Sequence, residues 1–341
     1  MKILILFDLA HATEPDQIFS ARALRREHGK PTEADVLLCL RRLEHDVDTL
    51  AVYDNIHDII QKIESWKPDI VFNLCESFLD DRAHEPNIPA LLELLKVPYT
   101  GAGPDALMLC KDKALAKKLL SFHRVRVARF EVSHRERPLR RLRRFEYPAF
   151  VKPIGMESSD GISKASFAKS EEEALERARY IHDKLETDAL IEEYIEGREL
   201  YLGVLGNKRL TTFPAREIFF GQAREDEAPL DDAAPKFATA KAKWDDAYRK
   251  KWGIKNGPAA ELPAGVDRKL ADLARRVYRI LQIRGLGRID VRLNLAGEIV
   301  VIEANPNPSL AKEDDFAQAA ATTGLDYDAL IKRILENAIR P

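Results

Sequence analysis

Five consecutive apolar residues, Ile3-Leu-Ile-Leu-Phe7, stand almost at the start of the chain. An apolar strand without alternation is buried on both faces, the pattern of a parallel sheet with helices on either side. The residues up to about 100 supply its partners. Val47–Tyr53 and Ile70–Leu74 read as further strands. Helical stripes lie between and after them: Val36, Leu37, Leu40 and Leu43 behind an N-cap at Thr32, then Ile56, Ile59, Ile60 and Ile63, then about 88–95. This alternation predicts an open α/β sheet with right-handed crossovers.

From about residue 105 the texture changes. A Lys-rich helix over 111–120 precedes an Arg-rich segment, 135–144, in which Leu139, Leu142 and Phe145 are spaced for an amphipathic surface helix. A strand at Ala149–Pro153, a small polar loop over 155–163, a helix over 171–185 and a strand at Ala189–Glu193 follow. Strands near 200–205, 288–295 and 298–302, a charge-rich stretch over 221–250 and a final helix from Tyr327 complete the reading. The 341 residues divide into an N-terminal α/β domain (1–104), a central α+β lobe (105–188) and a C-terminal α+β lobe (189–341).

Composition narrows the function classes. Lys and Arg number 54 against 56 Asp and Glu, a net charge of −2, which argues against nucleic acid or an anionic membrane as the main partner. Cys39, Cys75 and Cys110 form no disulfide or zinc pattern, so a reducing, cytoplasmic setting is expected, with Cys75 as packing. The apolar stretch before Asp8 is short for a signal peptide, and no apolar run reaches the length of a membrane helix.

Chemistry concentrates in three segments. Residues 287–305 read as a hairpin turning at Ala296-Gly297, with Asp290 on one arm and Glu303 and Asn305 on one face of the other. Two carboxylates and an amide oxygen suit Mg²⁺, with phosphates and water completing the octahedron. Arg288 shares the face of Asp290 and suits a transferring phosphoryl group. In Tyr147–Gly161 a lysine, Lys152, ends an apolar strand before a loop carrying Ser158 and Ser159, a set of phosphate donors. In Leu190–Leu200 a strand ends in acidic residues and turns at Gly197, where backbone groups can meet a nucleobase and a carboxylate a sugar. Lys111, Lys113 and Lys117, and the loop of His84 and Glu85, read on their own as solvent-facing.

These segments, with Val97-Pro-Tyr-Thr-Gly-Ala-Gly103, Lys111-Asp-Lys113, Phe150-Val-Lys-Pro153, Ile191-Glu-Glu-Tyr-Ile-Glu-Gly-Arg-Glu199, Arg288-Ile-Asp290, Ile302-Glu-Ala-Asn305 and Thr323-Gly-Leu-Asp-Tyr-Asp-Ala-Leu-Ile331, resemble in order and spacing the D-alanine–D-alanine ligase branch of the ATP-grasp superfamily. The resemblance implies an ATP-grasp fold with a Rossmann-like N-terminal domain. It implies ATP and two Mg²⁺ ions (or Mn²⁺) as cofactors, small-molecule partners and, by analogy, a homodimer. Lys113 and Lys152 would contact ATP phosphates, with Ser159 beside them. Glu192, Glu193 and Ile195 would form the adenine hinge, and Glu199 would hold the ribose. Lys243 resembles the lysine of a mobile loop that closes over the phosphates. Asp290, Glu303 and Asn305 would bind the metals, while Arg288 and Ser158 serve the reaction centre. The implied reaction forms an acyl phosphate from a carboxylate, which an amine then attacks to give an amide.

The acceptor side departs from the family pattern. Asp8-Leu-Ala-His-Ala-Thr-Glu14 replaces the family's glycine–serine loop, Glu76 stands where those ligases carry a histidine, Glu157 replaces a glycine and Trp244 a tyrosine. The segment after Asn305 is shorter and lacks a glycine. We therefore expect a carboxylate–amine ligase acting on amino-acid-like or small peptide substrates other than two D-alanines, with Glu14, Glu76 or Glu85 meeting a substrate amine. The alternatives are another ATP-grasp reaction (phosphoryl transfer or a thiol acceptor) and a non-catalytic nucleotide-binding regulator.

Overall fold

The computed structural model describes residues 1–14, 17–143, 145–156, 161–221, 237–239, 242–243 and 245–339. Strands β1 (Lys2–Asp8), β2 (Asp46–Val52) and β3 (Ile70–Asn73) form a parallel sheet in the order β2-β1-β3. The unbroken apolar run of β1 feeds two cores. Ile3, Ile5 and Phe7 meet Val36, Leu37 and Leu40 of the helix Pro31–Arg42, whereas Leu4 and Leu6 meet Ile59, Ile88 and Leu92 on the other face. Cys75 is buried in this second core. The helix starts one residue before the expected cap: Pro31 takes the first position, where its missing N–H costs nothing, and Lys30 precedes it without a side-chain cap.

Strands β4 (Phe130–Ser133), β5 (Ala149–Pro153), β6 (Phe167–Ala168) and β7 (Ala189–Glu193) form an antiparallel sheet in the order β4-β7-β5-β6. The helix Glu171–Lys184 covers it through Ala174, Ala178 and Ile181. The amphipathic helix expected over 135–144 is not found among its described residues. Pro138 lacks a donor and disfavours helical backbone at Arg137. The segment wraps instead as a loop, with Leu139, Leu142 and Phe145 packed on the central core and Leu142 N–H donating to Glu171 Oε1 at 2.7 Å.

The third sheet contains β8 (Arg198–Leu205), β9 (Thr211–Thr212), β10 (Arg216–Phe219), β11 (Lys255–Pro258), β12 (Leu286–Leu293) and β13 (Ile299–Asn305). Its order is β11-β10-β8-β12-β13, with β9 on β8. The helix Val266–Ile280, outside the sequence reading, presses Leu270, Ala274, Val277 and Tyr278 onto Leu202, Val204, Ile289 and Val291. The Lys-rich segment is two helices, Pro104–Lys111 and Lys113–Phe122. Asp112 separates them and caps the second by accepting from Leu115 N–H at 2.9 Å.

Two contacts between the parts position the site. Val127 bridges to Val301 of β13, with Val301 N–H donating to Arg126 O at 2.9 Å, so the second and third sheets meet along a cleft. The helix Tyr327–Ile339 folds back onto the helix Pro31–Arg42, and Asp315–Ala321 packs on β8 and β11; Phe316, Leu330, Ile331 and Ile334 join the core of Ile5, Phe7 and Leu37. No helix among the described residues is long and apolar enough to cross a membrane.

Candidate active site

Cross-strand pairs share a face of a sheet, and three rungs of β8, β12 and β13 share one face, whose Glu199, Arg292, Val300 and Glu303 line the cleft. Arg292 pairs with Glu199 and Val300, Asp290 with Tyr201 and Glu303, and Arg288 with Gly203 and Asn305. A bulge makes the middle rung. The register passes from Asp290–Glu303 to Val291–Val301, so Ile302 is the extra residue and Glu303 is brought opposite Asp290. Asp290, only 2% exposed, accepts both arms of Arg288, Nε at 2.7 Å and Nη2 at 2.8 Å. Burial pushes the Asp290 carboxyl up against the pull of Arg288. Burial would also raise Glu303, but Lys243, Lys113, Lys152 and Arg288 outweigh it and bring that carboxyl down to about 2.

Across the cleft, Glu192 of β7 accepts from Lys152 of β5 at 2.7 Å and faces Lys117 Nζ at 3.0 Å. All three are buried. Burial opposes the Glu192 carboxylate, yet the two ammoniums hold it below its ordinary range. Burial lowers Lys117, which Glu192 only partly offsets, while Glu192 and Glu303 lift Lys152 despite its burial. Lys113 Nζ donates to the carbonyls of Ile154, at 3.3 Å, and Met156, in the loop after β5. The solvent-facing reading of Lys111, Lys113 and Lys117 is thus corrected: from the helix Lys113–Phe122, Lys117 reaches Glu192 of β7 and Lys113 the loop after β5, and Lys111 pairs with Glu85 at 2.7 Å.

A cleft open to solvent runs between these walls. Lys152, Glu192, Glu193, Ile195, Glu199, Lys243 and Glu303 line it, together with Phe150, Tyr194 and Val300, which give it an apolar part. Ser158, Ser159, Glu157 and Trp244, and the charge-rich segment 222–236, lie outside the described residues. Sequence reasoning missed Lys117 and Arg292 as cleft residues. Lys117 stands one helical turn from Lys113, and Arg292 two residues from Asp290 on the same strand face, so both carried a periodicity signal.

At the far end of β12 and β13 the first sheet approaches. Asn305 Oδ1 accepts from Asn307 N–H at 3.0 Å; Asn307 in turn accepts from Ala102 N–H at 2.9 Å and donates to Glu85 at 3.2 Å. Glu85 is 4% exposed, which corrects its reading as part of a solvated loop: Lys111 and Asn307 compensate its charge there. Glu14 is exposed, and Glu76 lies near Arg82 at 3.4 Å. Asp8 accepts from Ser77 Oγ at 2.9 Å and pairs with Lys30 at 3.4 Å, while Lys30 lies 3.6 Å from Glu33. Burial, seconded by Glu76 and Asp8, raises Glu33 to about 7 against the pull of Lys30. Lys30 therefore pairs chiefly with Asp8.

No trio of His, Cys, Asp or Glu converges on a metal position among the described residues. The facing pair Asp290 and Glu303, the latter kept ionised by four cations, and the Asn305 amide oxygen still fit Mg²⁺, which commonly takes one or two carboxylates and completes its shell with phosphate oxygens and water.

Two antiparallel sheets clasping a cleft, one contributing buried lysines and the other a carboxylate-bearing hairpin, make an ATP-grasp fold. Residues 113–336 match the family model described as D-ala D-ala ligase C-terminus, and the chain belongs to that family of ATP-grasp ligases, which form carbon–nitrogen bonds. It is 33% identical over 275 residues to uncharacterized protein y4sG of Sinorhizobium fredii, covering 80% of this chain and 75% of that one. It is 29% identical over 285 residues to the D-alanine–D-alanine ligase of Halothermothrix orenii, with 80% and 75% covered. The fold superposes on the Bacillus anthracis D-alanine–D-alanine ligase complexed with ATP at a TM-score of 0.74 and 18% identity, over 100% of this chain and 97% of that one. It superposes on the Enterococcus faecalis VanG D-Ala:D-Ser ligase at 0.68 and 18%, over 99% of each.

Proposed function

We propose that this chain activates a small carboxylate with ATP and joins it to an amine, through an acyl phosphate, on amino-acid-like or dipeptide substrates other than two D-alanines. The observation that carries the reading is the Asp290–Glu303 rung, two facing carboxylates at the cleft wall with Arg288, Lys113, Lys152 and Lys243 gathered around them. A regulator that only binds nucleotide has no need of two carboxylates at the phosphate end. Glu192, Glu193 and Ile195 serve the adenine and Glu199 the ribose, while Lys113, Lys152 and Lys243, with Ser159, serve the phosphates. Asp290, Glu303 and Asn305 would hold Mg²⁺, which when bound offsets the repulsion between the triphosphate and an incoming carboxylate. Arg288 and Ser158 steady the charge that develops on the transferring phosphoryl group and on the tetrahedral adduct. Closure of the cleft would exclude water from the acyl phosphate.

The departures around Asp8, Glu76 and the segment after Asn305 support different substrates. The deciding experiment is a phosphate-release screen of amino acids and dipeptides, singly and in pairs, with ATP and Mg²⁺. Release that needs two substrates and yields an amide is expected. Release with one substrate and a stable phosphorylated product would replace ligation by phosphoryl transfer, and unchanged turnover in Asp290→Ala or Glu303→Ala would remove the assignment of the centre.

A further inference from the structure

Glu199 is buried in the cleft wall with both carboxylate oxygens engaged on one side. Oε1 accepts from Tyr201 OH at 2.9 Å, and Oε2 accepts from Arg292 Nη2 at 2.8 Å. Arg292 is itself buried, and its other arm, Nη1, donates to Gly197 O at 3.0 Å, in the turn between β7 and β8. Its guanidinium also stands 5.8 Å from the ring centre of Tyr194, in the hinge. One arginine on β12 therefore ties together the carboxylate of β8 and the turn that precedes it.

An ionised carboxylate has about four lone-pair directions, two on each oxygen. Among the described residues Tyr201 and Arg292 take one on each oxygen, leaving one on each for further donors. A pair of vicinal hydroxyls, as on ribose, is a bidentate donor of matching kind. A buried carboxylate needs a cation to compensate its charge. Arg292 supplies that cation, and its planar fork fixes the orientation of the group it binds.

We propose that Arg292 is the positioning residue for sugar recognition, holding Glu199 turned so that its two remaining lone pairs read the 2′- and 3′-hydroxyls of a ribonucleotide. The inference rests on the reading of this cleft as the ATP site. A structural ion pair of the same geometry would contribute little to stability and nothing to discrimination between sugars.

Calorimetric titration with ADP, 2′-deoxyADP and 3′-deoxyADP in the presence of Mg²⁺ separates the two and needs no knowledge of the acceptor. The unsubstituted protein is expected to bind ADP at least about tenfold more tightly than either deoxy analogue, the discrimination of a hydrogen bond to a charged group. In Arg292→Met the preference should fall to within about threefold, because ADP affinity drops while deoxyADP affinity changes little. Arg292→Lys keeps a cation but not the fork, and should lose at least about threefold of the preference. A full preference for ADP in either variant overturns the inference and leaves the ATP reading standing, as does an unsubstituted protein that binds all three equally. Absence of binding by the unsubstituted protein overturns both.

Discussion

Lys117 and Lys152 reach the same carboxylate from different elements, one from the helix Lys113–Phe122 and the other from β5, with Glu192 between them at 3.0 and 2.7 Å. Two ammoniums share one anion, so the trio carries an excess positive charge inside the cleft wall. Removing one lysine leaves a neutral pair, whereas removing the carboxylate leaves two buried cations facing each other. Glu192→Gln should therefore destabilise the protein by about 3–5 kcal/mol and Lys117→Met by clearly less. Urea unfolding of both variants checks this, and the reverse order would refute the account of the trio.

Arg288 occupies Asp290 bidentately in the free protein, so a metal ion has to share that carboxylate. Mg²⁺ alone is expected to move the melting temperature by less than ~1 °C, and Mg²⁺ with ATP to raise it by several degrees more than the sum of either alone. A chelator should abolish the joint effect. Equal shifts with ATP in the presence and absence of chelator would count against the hairpin as a metal site.

Glu33 predicts a pH dependence of stability. Its folded-state value of about 7 lies above the ordinary 4.5, so between these values the folded chain keeps a proton that the unfolded chain releases. The resulting stability is fully present below about pH 4.5 and is lost as the pH rises through about 7, a change on the order of 3 kcal/mol. Glu33→Gln, which cannot ionise, should flatten this part of the profile. Denaturant titrations at pH 5 and pH 8 give the comparison, and parallel losses in both proteins would place the effect elsewhere.

Gly197 and Gly297 both have positive φ, 144° and 78°, but differ in surroundings. A Cβ on Gly197 would collide with the Leu293 carbonyl and come within 2.8 Å of Asn294 Cα, whereas Gly297 has nothing within 4 Å. Gly297→Ala should cost about 1 kcal/mol, the backbone penalty alone, and Gly197→Ala distinctly more, with weakened nucleotide binding because its carbonyl holds Arg292. Thermal unfolding and ADP titration of the two variants test the contrast.

Much of this was legible from local pattern. The apolar run of β1 announces a two-sided strand, and the hairpin carrying Asp290 and Glu303 reads from its turn at Gly297. What local pattern hides is register: the bulge at Ile302 decides that Glu303 faces Asp290, and no spacing along the strand shows it. Partners remote in sequence are hidden for the same reason, since Arg292 finds Glu199 across β12 and β8, 93 positions apart. The segment 135–144 misleads because leucines spaced for a helix serve equally to pin a loop once Pro138 forbids the helical ladder. The helix Val266–Ile280 was readable from Val266, Leu270, Ala274 and Val277, spaced three to four apart, yet escaped beside a charge-rich stretch. Strand β11 holds Gly257 and Pro258 and, among the described residues, pairs only with β10, an edge position where propensity gives no warning.

The shared core of the first sheet and the last helix bears on how the chain is made. The core around Ile5, Phe7 and Leu37 is complete only when Leu330, Ile331 and Ile334 have arrived, roughly three hundred positions or more later in synthesis. The N-terminal sheet therefore does not mature as an autonomous unit while the rest is still being translated, as domains of multidomain chains generally do. Until that last helix has been made, the face of the helix Pro31–Arg42 that it covers stays exposed, and in that interval it is a natural client for a chaperone. A chain released before Tyr327 keeps every cleft residue discussed above, but leaves that face open to aggregation.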